Sequence, residues 1–321
     1  MRDFALSALH EPPFPSRRHP AVDLTAAQSA AWVRDFGLVG DQAGRRRLAG
    51  AHAAELAARA CPEASPSGLR LLTDLINWLF VVDDACDDDG LGAAPTLLAP
   101  TLAGLLAVLD RHGDPEVPVP ADGGPIAVAL HDLIRRARNR GRPAHLLRLV
   151  SQLREYLLAL LWEAANRERR RVPGVAEYMQ MRRHTGGVRP SFTVTDLARP
   201  SAPRADQRVA PALTVLDALA TDLVCWCNDL FSYGKERGSK ERGTVPEAHN
   251  LVTTIAGETG QDESAALHAA ADRFNKALAT YAERDAALSA VADEGMRAFL
   301  DTRRDWIRAT YDWSRAAGRY A

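Results

Sequence analysis

The reading of this chain turns on Asn228-Asp229-Leu230-Phe231-Ser232-Tyr233-Gly234-Lys235-Glu236. The stretch follows a strongly apolar run from Ala218-Leu219 to Cys227, which should hold it inside a helical bundle. On a helix, Asn228, Ser232 and Glu236 stand at i, i+4 and i+8. An amide oxygen, a hydroxyl and a carboxylate then line one face, each step rising about 6 Å. All three are hard oxygen donors, the kind Mg²⁺ selects. Lys235, beside the third, supplies a cation for phosphate oxygens. The plain alternative is an Asn at a helix start followed by a solvated Ser and Glu, and the apolar run before it argues against that.

A second acidic feature lies far upstream. In Val81-Val82-Asp83-Asp84-Ala85-Cys86-Asp87-Asp88-Asp89, five carboxylates fall within seven residues, directly after the apolar run Leu75-Ile76-Asn77-Trp78-Leu79-Phe80. If the helix continues, Asp83 shares a face with Asp87, and Asp84 shares one with Asp88. Such like-charge pairs are unfavourable by a few tenths of a kcal/mol on an exposed helix and by more where desolvated. A multivalent cation removes the penalty. An EF-hand loop fails on register, because position 1 would be Ala85 and position 12 Thr96. A solvated acidic helix end remains the bland reading of this run taken alone.

The rest of the chain narrows the class. Its 321 residues carry 40 Lys+Arg against 41 Asp+Glu, so no basic surplus exists for gripping nucleic acid or an anionic membrane. At 46% hydrophobic and a net charge of −1 the chain can bury a large core, which excludes disorder. Cys61, Cys86, Cys225 and Cys227 form no zinc-type spacing and read as reduced buried thiols, as expected of a cytoplasmic protein. No signal peptide and no membrane span is expected.

Residues 1–22 are Pro-rich and aperiodic and read as an extended N-terminal segment ahead of a domain covering residues 23–321. From Asp23 onward the apolar period is helical. The patterns lie near 42–60, 67–88, 93–111, 124–140, 143–170, 174–187, 205–237, 261–289 and 291–317, after a first helix reaching Phe36. The expectation is an all-α, single-domain bundle of about ten to twelve helices around a central cavity.

With both motifs in hand, DDACD and NDLFSYGKE, the sequence resembles the class I terpene synthases of the bacterial type over most of its length. The resemblance implies that Asp83, with a partner open among Asp84, Asp87 and Asp88, and the set Asn228, Ser232 and Glu236 bind Mg²⁺. Three ions are expected, with Mn²⁺ as a substitute. It implies a diphosphate-sensing arginine at Arg182 in MRRHTGG, with Thr185 and Gly186 as linker and effector positions. Lys235, Arg319 and Tyr320 would join Arg182 on the substrate diphosphate. The Arg319-Tyr320 pair lies closer to the chain end, and further from the Asn228 motif, than is usual in the family. Aromatic faces can stabilise a carbocation, and Phe80 and Trp313 are the candidates, with Phe192 and Trp226 better read as core.

The implied activity is ionisation of a linear prenyl diphosphate, farnesyl diphosphate first and geranylgeranyl diphosphate second. Cyclisation to a hydrocarbon or alcohol follows, with release of diphosphate. The implied enzyme is a carbon–oxygen lyase acting on phosphates, open to pairing as a homodimer. A chain-elongating prenyl diphosphate synthase is the nearest rival, but it needs a second Asp-rich motif where this chain has Asn228-Asp229. A non-enzymatic helical binding protein would leave both ligand sets unexplained.

Overall fold

In the computed structural model the described residues are 4, 7–87, 90–118, 124–201, 204–241 and 249–316. The side chains of 205–206 and 235–241 lie outside the description. Every regular element among the described residues is helical. Besides a short 3₁₀ turn at Leu91–Ala93, these are in chain order α1 (Val22–Asp35), α2 (Gln42–Gly50), α3 (Ala53–Ala60), α4 (Pro66–Asp87), α5 (Pro95–Leu109), α6 (Gly124–Arg138) and α7 (Pro143–Glu168). There follow α8 (Val175–Thr185), α9 (Val188–Ala198), α10 (Ala205–Arg208), α11 (Pro211–Glu241), α12 (Leu251–Thr259), α13 (Glu263–Ser289) and α14 (Glu294–Ala316). The all-α expectation holds.

α4 is the central strut. Leu69, Leu71, Leu72, Leu75, Ile76, Trp78, Leu79, Val81 and Val82 are all buried, and the helix is apolar on nearly every side. That pattern marks a helix enclosed by others. It packs against α1, α3, α6 and α9, while α11 packs against α13 and α14, and α3 closes against α14.

Several boundaries differ from the periodicity. The stretch 42–60 divides into α2 and α3 because His52 takes a left-handed conformation, φ 49°. α9 begins after Gly186-Gly187, where a Pro- and Arg-containing sequence hid its period. α12 is short and hydrophobic and gives too few turns to show a period.

Ahead of α1 the Pro-rich segment is laced to the bundle by side chains. Arg17 donates to Asp305 through Nε at 3.2 Å and Nη2 at 2.8 Å, and to Glu63 at 2.6 Å. The His10 N–H donates to Asn275 Oδ1 at 2.8 Å.

One fully buried cation organises the deep end. Arg303 of α14 donates to Asp196 of α9 at 2.6 Å and to Asp217 of α11 at 2.8 Å. Its guanidinium also lies 4.5 Å from the Phe192 ring and 4.4 Å from the Phe299 ring. Arg208 adds a second cation, 3.2 Å from Asp217. Burial alone would push the Asp217 carboxyl up, but Arg303 and Arg208 override it and hold it at about 2. With its folded-state value depressed, this group stabilises the fold fully above its ordinary value of 3.8. The contribution is lost as pH falls toward 2. Arg303→Met should therefore destabilise the protein by about 3 kcal/mol, because it leaves Asp196 buried without its main partner. Urea unfolding at neutral pH measures the loss, and an acid titration should find that the dependence on pH between 4 and 2 has weakened.

Candidate active site

Helices from opposite sides of the bundle open a cavity of about 210 Å³. α4 presents Ile76, Leu79, Phe80, Asp83 and Asp87 to it, a stripe set by the 3.6-residue turn. α11 presents Val224, Asn228 and Ser232, and α14 presents Trp306, Thr310 and Trp313. Arg182, Thr185 and Gly186 complete the set that the tertiary structure brings together. The sequence-expected residues Asp83, Asp87, Asn228, Ser232, Arg182, Thr185, Gly186, Phe80 and Trp313 thus share one space.

Asp84 is placed differently: it is absent from the described lining, and its carboxylate faces Arg47 of α2 at 3.9 Å. Asp88, Arg319 and Tyr320 lie outside the described residues, as do the side chains of Lys235 and Glu236. Phe192 is buried against Trp306 and Arg303, in keeping with its reading as core.

Arg182 is fixed by the motif residue next to Asn228. Its Nε donates to Asp229 Oδ1 at 3.1 Å and its Nη2 to Asn228 Oδ1 at 3.1 Å. Burial alone would lower the Arg182 pKa, but the Asp229 carboxylate more than reverses this and holds it well above its ordinary value. The side chain stays 17% exposed, on the cavity wall. Asp229 in turn accepts from the Tyr178 hydroxyl and from the Leu251 N–H, and its carbonyl accepts from Asn250 Nδ2 at 2.9 Å. Sequence reasoning assigned Asp229 no role, although it sits inside the motif.

Other lining residues were also missed. Glu163 and Arg167 stand one turn apart on α7, and Tyr156 and His249 join them on the wall. Arg167 forms an ion pair with Asp87, tying α7 to the end of the Asp-rich helix. Charged residues embedded in the apolar sequence LLALLWEAANR were the available signal.

The break between α8 and α9 has a steric cause. Gly187 has φ +65°, a conformation L side chains rarely take, and a Cβ there would sit 3.0 Å from Leu79 Cδ1. At Gly186 a Cβ would meet Cys225 Sγ at 2.6 Å, so α11 packs directly on the glycine backbone. The Thr185 hydroxyl beside it is buried without a hydrogen-bond partner among the described residues.

Residues 74–280 match the family described as terpene synthase family 2, C-terminal metal binding. The chain belongs to the terpene synthase family. This terpene synthase is 32% identical over 312 residues to a (+)-T-muurolol synthase, (2E,6E)-farnesyl diphosphate cyclizing, of Roseiflexus castenholzii, covering 96% of the chain and 92% of that protein. It is 31% identical to a (+)-eremophilene synthase of Sorangium cellulosum, with 97% and 92% covered. Among solved structures, a wild-type cucumene synthase superposes with a TM-score of 0.80 at 25% identity, covering 95% of this chain and 99% of that one. The protein is accordingly a carbon–oxygen lyase acting on phosphates, a terpene cyclase of a metal-binding family.

The donors present fit such a metal: Asp83 and Asp87 of α4 and Asn228 and Ser232 of α11 line the same cavity, and all four carry hard oxygen atoms. No helix among the described residues is long and apolar enough to cross a membrane.

Gly186→Ala should lower turnover, since the new methyl forces α8 and α11 apart by an overpacking term of about 1–3 kcal/mol. Adding Cys225→Ala removes the clashing sulfur and should restore much of the rate. Steady-state kinetics of the two single variants and the double variant check this.

Proposed function

We propose that this terpene cyclase ionises a linear prenyl diphosphate, farnesyl diphosphate in the first place, and closes the resulting carbocation to a hydrocarbon or alcohol with release of diphosphate. The observation that carries the reading is one cavity with two chemistries. Asp83, Asp87, Arg182, Asn228 and Ser232 gather on its wall with Ile76, Leu79, Val188, Val224 and the rings of Phe80, Trp306 and Trp313.

Ionisation breaks the allylic carbon–oxygen bond, and its electron pair leaves with the diphosphate. Arg182 keeps Nη1 without a hydrogen bond among the described residues, while Nε and Nη2 are held by Asp229 and Asn228. It can therefore donate to a phosphate oxygen without losing its anchor. Asp83, Asp87, Asn228, Ser232 and Glu236 would hold Mg²⁺, whose Lewis acidity stabilises charge on the departing diphosphate. Lys235, Arg319 and Tyr320 are assigned to the same anion by their place in the sequence.

The cation left behind attacks its own alkenes, and the last cation loses a proton or takes up water. The buried apolar wall keeps water from quenching it early. The faces of Phe80 and Trp313, nearly parallel at 13° with centroids 6.2 Å apart, offer electron-rich surfaces to it. The farnesyl preference draws support from relatives named as farnesyl diphosphate cyclizing, the T-muurolol and 4-epi-cubebol synthases.

Incubation with geranyl, farnesyl and geranylgeranyl diphosphates and Mg²⁺, followed by hexane extraction and mass spectrometry, tests the reading. A cyclic sesquiterpene from farnesyl diphosphate is expected. A longer prenyl diphosphate would mark chain elongation instead, and no turnover of any substrate would overturn the proposal. Chelation should stop the reaction, and Mg²⁺ should restore it. Asn228→Ala and Glu236→Ala should each reduce turnover by at least about 100-fold while the helical circular dichroism persists.

A further inference from the structure

A second, larger hollow abuts the reaction cavity. A groove of about 730 Å³ runs between α1, α2 and α3, with Val22, Val33, Leu48, Ala53 and Ala54 among its apolar lining. α4 divides the two spaces by face: Thr73 and Asn77 look into the groove, and Ile76, Leu79, Phe80 and Asp83 into the reaction cavity. Among the described residues, Trp313 is the one side chain that lines both.

Its ring is held at an edge and on a face. Nε1–H donates to the Ala51 carbonyl at 2.9 Å, and the ring lies nearly parallel to Phe80 with centroids 6.2 Å apart. The Ala51 carbonyl is available because the chain breaks there: the left-handed His52 separates α2 from α3, and the carbonyls at a helix end need partners. Trp313 itself is 2% exposed, so the indole is buried where α14 meets α4 and the turn between α2 and α3.

We propose that Trp313 sets the upper limit on prenyl chain length by walling the reaction cavity off from this groove. The diphosphate is anchored at the Asp83, Arg182 and Asn228 end of the cavity, and Phe80 stands one turn before Asp83 on the same helix. A chain running from that anchor meets the Phe80 and Trp313 rings on its way inward. An additional isoprene unit has no lateral room while the indole stands, and it gains an apolar trough once the ring is gone. The inference rests on the prenyl diphosphate reading and adds to it the residue that selects among prenyl diphosphates.

The test compares kcat/KM for geranylgeranyl and farnesyl diphosphates in the parent, Trp313→Ala, Ala54→Phe and the double variant. Trp313→Ala should raise the geranylgeranyl-to-farnesyl ratio by about tenfold or more, within the range of methylene-scale discrimination in apolar pockets. Ala54→Phe fills the groove from α3. Alone it should leave farnesyl turnover unchanged, and in the double variant it should return the ratio toward the parent value. A ratio unmoved by Trp313→Ala overturns the inference. So does a rise that survives Ala54→Phe, because general loosening of the bundle would then explain it. Trp313→Leu is measured alongside with the same two outcomes, and thermal melting identifies a variant that has lost its fold. A parent that turns over farnesyl diphosphate with an unmoved ratio sinks this inference alone, whereas a parent inactive on both substrates sinks the substrate reading and this inference together.

Discussion

A buried ion pair, Arg182 on α8 with Asp229 on α11, is the constraint around which the site is arranged. A guanidinium largely withdrawn from water is tolerated only if a carboxylate accompanies it. Asp229 meets that need and is itself held by Tyr178 and by the first residues of α12. Three helices are thereby locked in register at the point where Asn228 and Ser232 enter the cavity. The pair also orients Arg182, so that the free end of its guanidinium lies along the wall. Preorganised charge of this kind needs no rearrangement when an anion arrives.

The same economy of opposed charge recurs at the far end of the bundle. Arg303 meets Asp196 and Asp217 and stacks on Phe192, a core ring that packs on the cavity-lining Trp306, joining α9, α11 and α14. Arg182 itself lines the cavity, whereas Arg303 lies outside its lining. The apolar lining comes from stripes on the helices, among them Ile76 and Leu79 of α4, Val224 of α11 and Trp306 and Trp313 of α14. A chain whose net charge is close to zero can thus concentrate acid and base locally, with the buried charges of these two clusters paired.

Much of this was legible beforehand because it depends on residues close in sequence. Asp83 and Asp87 share a face, as do Asn228 and Ser232, once each segment is helical. The apolar runs before them make that conformation the favourable one. The helix break at Gly186-Gly187 was visible as a glycine pair. What the sequence concealed has an equally local reason. α12 is too short to show a period, and the division of 42–60 depends on a left-handed His52, a conformation that histidine favours more than most residues but still takes too rarely to be read from the sequence. Glu163, Arg167 and His249 carry no motif of their own, and only their convergence on the cavity marks them.

The sequence by itself determined the all-helical class through its 3.6-residue period and the family resemblance through the motif residues Asp83–Asp87 and Asn228–Glu236, and it placed the candidate donors of each motif on shared helix faces. Only the folded chain decided which of those side chains meet. Asp84 turns to Arg47 while Asp87 reaches the cavity, because the packing of α2 and α7 on α4 selects between faces that the sequence leaves equivalent. The partnership of Arg182 with Asp229, the crowding of Gly186 by Cys225 and the indole of Trp313 standing between two hollows are long-range contacts. They arise from how the helices close on one another, and no pattern within a single helix encodes that closure.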